Sequence, residues 1–182
     1  MLVLMYQLVN EAGLRRTRMN EKNVTVRTAG EGDEAGILHC LAEAFEPYRG
    51  AYTAAAYSDT KLDEYTLEER FRTMHVLVAV QNGDVIGTVA ASLRSSEGHL
   101  RGMAVLPAFA GKAIAEKLLQ EIEGWLQSQG CTHVTLDTTE PLKRAAAFYE
   151  KHGYRSSGRV SDFYGMKLIE YEKHLVSSAD QG

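Results

Sequence analysis

The feature that most constrains the fold is an Asn-Gly pair between two apolar runs. Residues 76–80 form a β-branched, apolar run, the pair Asn82-Gly83 follows it, and residues 85–93 are mainly apolar again. Because asparagine and glycine tolerate a positive φ, this arrangement predicts a tight turn between antiparallel strands. A second turn is predicted at residues 95–98, before a further strand at 100–106. The middle of the chain is therefore predicted to be a three-strand antiparallel meander.

Helical patterns lie on both sides of this meander. Residues 112–129 place large apolar side chains on one stripe and charged ones opposite, and Gly130 follows as a stop signal. Shorter helices are predicted at residues 142–151 and 63–74, and a first helix is predicted to end near Phe45, before Pro47. The other predicted strands are residues 24–27, 132–137, 154–156 and 163–171.

The order of these elements is β-α-α-β-β-β-α-β-α-β-β. Tight turns join strands 2 to 4, whereas a helix joins strands 4 and 5, so the sheet is expected to be mixed and the class α/β (α+β). Residues 47–61 read PYRGAYTAAAYSDTK and are predicted to be a loop with a short helical turn. Residues 24–174 are predicted to be one domain, with 1–23 an extension and 175–182 a flexible tail.

Composition excludes several classes of function. The chain has 182 residues and a formal charge of −4, which argues against general nucleic-acid binding because that relies on a basic face. The apolar start is too short for a membrane span. Cys40 and Cys131 lie far apart, and neither they nor the histidines have metal-ligand spacing. We therefore expect no metal, no membrane, and two reduced thiols in a cytoplasmic protein.

A strand followed by small residues and a helix start lies at residues 100–112. Free N–H groups in the first turn of a helix, together with the helix dipole, favour an anion, and small residues allow its close approach. Lys112 would add a positive charge. Taken alone, the segment is equally compatible with a plain strand-to-helix loop without a ligand.

Residues 105–119 read VLPAFAGKAIAEKLL and resemble the acetyl-CoA signature of the GNAT superfamily of N-acetyltransferases. That signature has Val-x-Pro and an aromatic residue, then Gln/Arg-x-x-Gly-x-Gly/Ala and a helix with paired leucines. Here Ala110 stands in place of the usual Gln or Arg, and Ala113 in place of the first glycine. A second segment, residues 144–154, reads RAAAFYEKHGY and resembles the family's Arg-Ala-x-x-Phe-Tyr-x-x-x-Gly-Phe element, with Leu142 where an Asn is usual.

The resemblance covers about residues 24–172 and implies the fold and cofactor of the family. It implies a mixed, mostly antiparallel sheet of about seven strands flanked by about four helices, with a splay between strands 4 and 5 that admits the pantetheine arm of acetyl-CoA. It also implies a homodimer. The residues implied to bind acetyl-CoA are Met103, Ala104, Val105, Ala110, Gly111, Lys112, Ala113, Ile114, Ala115 and Phe148.

The resemblance also implies the catalytic residues. Tyr149 matches the tyrosine that protonates the departing CoA sulfur in many members; the alternative is a packed helix aromatic. His99 lies where some members carry a glutamate that activates the amine, and a histidine titrates near neutral pH. The alternatives are a surface histidine beside a turn, Glu97 as the base, or water alone.

The acceptor amine is expected against the first two helices and their loop. Tyr48, Tyr52 and Asp59 are the candidates there, since aromatic rings and carboxylates can hold a cationic amine. They are equally compatible with a solvated loop that carries a few packing tyrosines. The predicted activity is acetyl transfer from acetyl-CoA to a primary amine of a small molecule or peptide. The alternative is a non-catalytic acyl-CoA-binding module on the same fold.

Overall fold

Residues 24–175 are described by a computed structural model, in which seven strands form one sheet. The strands are β1 (Thr25–Thr28), β2 (His75–Gln81), β3 (Asp84–Arg94), β4 (Glu97–Val105), β5 (His133–Thr139), β6 (Arg155–Phe163) and β7 (Met166–His174). Their order in the sheet is β1-β2-β3-β4-β5-β7-β6, and only the β4–β5 pair is parallel. The predicted mixed sheet is confirmed. The predicted extension, residues 1–23, and residues 176–182 of the predicted tail lie outside the described residues.

The meander is built on the turns that the sequence predicts. Asn82 and Gly83 have φ values of 54° and 92°, which join β2 to β3 as a tight hairpin. Ser95 has a φ of 53° and lies in the turn between β3 and β4. The last two strands are longer or displaced relative to their prediction, since β6 continues to Phe163 and β7 begins only at Met166.

Five α-helices accompany the sheet in residues 24–175, where about four were predicted. They are α1 (Glu34–Phe45), α2 (Ala54–Lys61), α3 (Glu64–Thr73), α4 (Ile114–Ser128) and α5 (Lys143–Lys151). The additional helix is α2, which corrects the prediction of a loop with a helical turn. Thr53 caps its first turn, accepting a bond from Ala56 N at 3.3 Å, and the Tyr57 hydroxyl donates to Glu46. This cap and the contact with Glu46 stabilise a helix whose sequence has no clear apolar stripe.

Alternation along β2 places the two helix layers on opposite faces of the sheet. Leu77 and Ala79 belong to the cluster that contains the buried stripe of α4, whereas Val76 and Val78 belong to the cluster of α1. The α4 stripe consists of Ile114, Leu118, Leu119, Ile122 and Leu126. Both faces of the central strands are therefore covered.

The sheet opens between β4 and β5. The two strands pair where Glu97–Leu100 of β4 faces His133–Leu136 of β5. Beyond this stretch, within the described chain, β4 pairs only with β3 and β5 only with β7. On the β3 side, the register shifts opposite Gly102, whose φ is 60°. The expected splay between strands 4 and 5 is thus present.

Candidate active site

Two cavities meet at the opening between β4 and β5. The larger, of about 690 Å³, lies on the side of α2 and α3, and we call it the acceptor cavity. The smaller, of about 210 Å³, lies between β4 and α5, and we call it the thioester cavity. Both are bordered by the same six residues, Phe45, Leu100, Arg101, Gly102, Asp137 and Leu142. A molecule in one cavity is therefore next to a molecule in the other.

His99 lies in the acceptor cavity at the last paired stretch of β4 and β5. Its Nδ1 is 2.9 Å from the hydroxyl of Thr135, its partner in the strand register, and its Nε2 is 3.5 Å from Oδ2 of Asp137. Burial lowers the pKa of the His99 imidazole below its usual range, and the Asp137 carboxylate opposes this shift. Burial likewise raises the pKa of Asp137. Both shifts favour a neutral imidazole, which can accept a proton at Nε2.

Tyr149 of α5 lines the thioester cavity. Its side chain is 8% exposed, and its hydroxyl lies 3.3 Å from the sulfur of Met103 on β4. Burial raises the pKa of this phenol well above its usual range, so the hydroxyl keeps its proton at any physiological pH. The ring packs edge-on against Phe148 and Tyr154, which fixes its direction. The hydroxyl is therefore protonated and lies between α5 and β4, where it can donate a proton.

The residues expected to bind acetyl-CoA divide into two groups. Met103, Ala104 and Val105 line the thioester cavity, where β4 has no partner strand on the β5 side. Ala110, Gly111, Lys112 and Ala113 are exposed and form the turn into α4, after a 3-10 turn at Pro107–Phe109. Phe148 borders neither cavity and packs instead on Tyr149 and His152.

The start of α4 is open. Ala113 precedes Ile114 and Ala115 as the N-cap residue, and no side chain caps the free N–H groups of the first turn. Ala113 has a φ of 56°, so an alanine occupies a left-handed backbone position that normally favours glycine. Lys112 lies over the Phe109 ring, with Nζ 5.0 Å from its centroid. Unbonded N–H groups beside a lysine suit a pyrophosphate, so this turn and the unpaired edge of β4 fit a CoA molecule.

The acceptor candidates lie around the larger cavity. Tyr52 and Asp59 line it, and the Tyr52 hydroxyl is 2.5 Å from Thr139 Oγ1. Asp59 Oδ2 is 3.5 Å from Nη2 of Arg101, so an arginine already lies beside this carboxylate. Tyr48 borders the thioester cavity. Glu97, the alternative base, is largely exposed at the far end of β4 and lines neither cavity.

Sequence reasoning missed four charged residues of the acceptor cavity, namely Arg70, Arg94, Arg101 and Asp137. The signal for Asp137 was available, because His99 aligns with Thr135 and a residue two further along β5 returns to the same face. Arg70 is one helical turn from Leu67 on α3 and is buried with it. The burial of Arg70 was not predicted, because the apolar residues Phe71 and Met74 indicated that a neighbouring stripe of the helix is the buried one.

Other kinds of site find no support in the described residues. Between residues 24 and 175, no three His, Cys, Asp or Glu side chains converge to hold a metal ion. None of the described helices is both long and apolar enough to cross a membrane.

Solved structures share this architecture. The N-acetyltransferase PaiA of Thermoplasma acidophilum, solved in complex with coenzyme A, is 21% identical over 84% of this chain and 99% of its own, with a TM-score of 0.67. The ribosomal-protein-S18-alanine N-acetyltransferase of Escherichia coli is 16% identical over 88% of this chain and 99% of its own, with a TM-score of 0.70. The IAA acetyltransferase of Bacillus cereus is 20% identical over 84% and 100%, with a TM-score of 0.62. At these identities the likeness establishes a shared fold.

The sequence itself matches a family model. The acetyltransferase (GNAT) family model matches residues 38–154, which include β4, the turn into α4 and the whole of α5. The match covers more than half of the 182 residues and contains both motifs singled out in the sequence. The chain belongs to the acetyltransferase (GNAT) family.

Proposed function

We propose that this protein is an N-acetyltransferase that moves an acetyl group from acetyl-CoA to a primary amine of a small molecule or peptide. The amine attacks directly while both substrates are bound. The observation that carries the proposal is the junction of the two cavities, with His99 and Asp137 on one side and Tyr149 on the other. Tyr52 and Asp59 are proposed to border the acceptor, with Tyr48 at the junction.

The acceptor side provides a base. An alkylammonium ion must lose a proton before its nitrogen can attack a thioester. Burial lowers the pKa of His99, which favours its neutral form, and its Nε2 lies 3.5 Å from Oδ2 of Asp137. The Asp137 carboxylate stabilises the imidazolium that forms when His99 takes the proton, because opposite charges lie 3.5 Å apart.

The thioester side provides an acid. When bound, acetyl-CoA supplies the thioester whose C–S bond breaks as the new C–N bond forms. The Tyr149 hydroxyl is protonated, oriented by its ring contacts, and directed at the β4 edge. It is proposed to donate its proton to the departing sulfur. Main-chain groups of Met103 and Val105, where β4 has no partner strand on the β5 side, are proposed to hold the pantetheine arm. The N–H groups of Ile114 and Ala115 are proposed to hold the pyrophosphate.

A non-catalytic acyl-CoA-binding module is the second candidate. Three departures from the family pattern favour it, namely Ala110, Ala113 and Leu142. Leu142 borders both cavities and offers no polar group to either. The acceptor cavity favours catalysis, since a sensor of acyl-CoA has no need of a second, polar cavity of about 690 Å³ that holds a neutral histidine.

A single assay separates these candidates. Purified protein is incubated with acetyl-CoA and a panel of primary amines, and the released thiol is measured together with the mass of the acetylated product. We expect amine-dependent thiol release. Binding of acetyl-CoA by calorimetry without turnover of any amine would support the sensor, and absence of binding at millimolar acetyl-CoA would contradict both. We also expect a cytoplasmic homodimer, for which light scattering tests the assembly.

A further inference from the structure

Arg70 is a buried cation that has no carboxylate partner in the part of the chain that the structure describes. It lies in the last turn of α3, is only 9% exposed, and borders the acceptor cavity. Within residues 24–175 no Asp or Glu oxygen lies within ion-pair distance of its guanidinium, and its side chain makes no hydrogen bond there. The acidic residue that acts on it electrostatically is Asp59, which lies beside Arg101 instead.

The backbone of β4 makes room for this guanidinium. Gly102 lies at the register shift opposite β3 with a φ of 60°, and a Cβ at this position would overlap Nη1 of Arg70. The guanidinium therefore lies directly against the β4 backbone, at the border that the two cavities share. The absence of a side chain at Gly102 thus leaves the space in which the Arg70 guanidinium lies at the cavity.

A buried, unpaired cation is unfavourable unless an anion reaches it. Burial, assisted by the charge of Arg101, lowers the pKa of Arg70 to about 10, so the side chain is still a cation at neutral pH. Arg70, Arg94 and Arg101 line the acceptor cavity, against the two carboxylates of Asp59 and Asp137. Arg94 is exposed and Arg101 lies beside Asp59, so Arg70 is the buried cation among these lining residues that has no carboxylate within ion-pair distance.

We propose that Arg70 binds a carboxylate of the acceptor, so that the substrate class is amines that also carry a carboxylate, such as amino acids or short peptides. This inference rests on the proposed function. A planar guanidinium forms two parallel hydrogen bonds with a carboxylate, which fixes orientation as well as affinity. Arg101 lines the same cavity and acts electrostatically on both Arg70 and His99. The apolar part of the acceptor would contact Phe45, Met74, Phe163 and Leu168.

The test compares ligands that differ only in the carboxylate. N-acetyl amino acids with aliphatic, aromatic, acidic and basic side chains are titrated against their carboxamides by calorimetry, with and without CoA. We expect at least one N-acetyl amino acid to bind on the order of 10- to 100-fold more tightly than its amide. Arg70→Gln should abolish that preference and Arg70→Lys should retain part of it. Arg94→Gln, an exposed arginine of the same cavity, should leave it intact.

A second pair of variants covers the case in which Arg70→Gln does not fold. Gly102→Ala should displace the guanidinium and remove the carboxylate preference, because the new methyl group meets only the end of a flexible side chain. Gly130→Ala is the matched control, since Gly130 has a φ of 80°, its added methyl group has no atom within 4 Å, and it lines neither cavity. This control also places an alanine at a positive φ, and it should keep the preference for the carboxylate over the amide.

Equal or undetectable binding of acids and amides across the panel would overturn the inference, as would a preference that persists in both Arg70→Gln and Gly102→Ala. The proposed function is measured separately, with acetyl-CoA and the corresponding free amino acids and amino-acid amides. Turnover of both classes without an effect of Arg70→Gln would overturn the inference and leave the function standing. Arg70-dependent binding of carboxylates without turnover of any amine would leave the inference standing and overturn the proposed function.

Discussion

His99 and Asp137 face each other across the boundary at which β4 and β5 separate, with Nε2 of the imidazole 3.5 Å from Oδ2 of the carboxylate. Thr135, which bonds the other ring nitrogen, is the register partner of His99. The parallel register therefore places the carboxylate on the same side as the imidazole. A carboxylate beside a neutral imidazole is an arrangement that supports proton acceptance.

The dependence of kcat/KM on pH should report the ionisation of His99 beside Asp137. Neutral His99 is the active form of the base, and burial lowers its pKa, so kcat/KM should rise through a pH below the usual histidine range and be level by neutrality. His99→Gln should lower kcat/KM by about 100-fold and remove this acidic limb, since general bases contribute roughly 10²–10⁴-fold. Asp137→Asn should move the limb to still lower pH, because the Asp137 charge raises the histidine pKa.

Glu97→Gln is the control for this profile, since Glu97 is 74% exposed and lies outside both cavities. Its profile should match that of the unaltered protein. An unchanged acidic limb in His99→Gln, or a limb lost in Glu97→Gln, would assign the base elsewhere.

Tyr149→Phe should lower kcat by about 10- to 100-fold while the affinity for acetyl-CoA and the free energy of unfolding change little. The hydroxyl has only a weak protein partner, the Met103 sulfur, and the ring remains in place. Tyr154→Phe is the matched control, because Tyr154 is also a buried tyrosine but donates to Glu123 at 2.8 Å. It should cost about 1–3 kcal/mol of stability and leave kcat unchanged. Equal kcat values for the two variants would exclude Tyr149 as the acid.

Most of the fold could be predicted from the sequence, because turns and apolar periodicity are local signals. Asn82-Gly83 and the stripe of α4 each determine a structure within a few residues. Helix α2 could not be predicted in the same way, since it depends on contacts made by Tyr57 to a residue eleven positions earlier. The composition of the residues that form α2 does not indicate such a contact.

The candidate site was predictable only in part. Tyr149 was proposed from its motif and His99 from its position on the predicted strand before Met103, and each lines one of the two cavities. Arg70 does not, because its burial requires the bulge at Gly102, more than thirty residues later. A charged residue on an amphipathic helix ordinarily faces water, and only the register of β3 and β4 shows that this one does not.

Neither cysteine should react with an aromatic disulfide reagent in the native protein at pH 8. Cys40 is fully buried, and burial raises the pKa of its thiol to about 12, so almost no thiolate is present. Cys131 is also buried, and its thiol donates to the His133 carbonyl at 3.2 Å. We expect two thiols per chain only after denaturation. Rapid reaction of the native protein with the reagent would show that one of the two cysteines becomes accessible. The assay of thiol released from acetyl-CoA would then need correction for that cysteine.

Ala113 provides a test of the backbone at the start of α4. Its φ is 56°, a left-handed position that costs an L-residue about 1–2 kcal/mol, whereas Ala110 in the same turn has an ordinary φ of −59°. The same replacement should therefore have opposite effects at the two positions. Ala110→Gly should destabilise by roughly 0.4–1 kcal/mol through the entropy of the unfolded chain. Ala113→Gly should be neutral or stabilising, because relief of strain offsets that entropy.

Urea unfolding of the two variants should separate them by about 1 kcal/mol, with Ala113→Gly the more stable. Ala113→Gly should also bind acetyl-CoA more tightly in calorimetry, since removal of the methyl group lets the proposed pyrophosphate come closer to the N–H groups of Ile114 and Ala115. A tighter complex with higher turnover would indicate that alanine at this position limits an active enzyme. Equal losses of stability in both variants would contradict the left-handed conformation of Ala113, and unchanged affinity would place the pyrophosphate away from this turn.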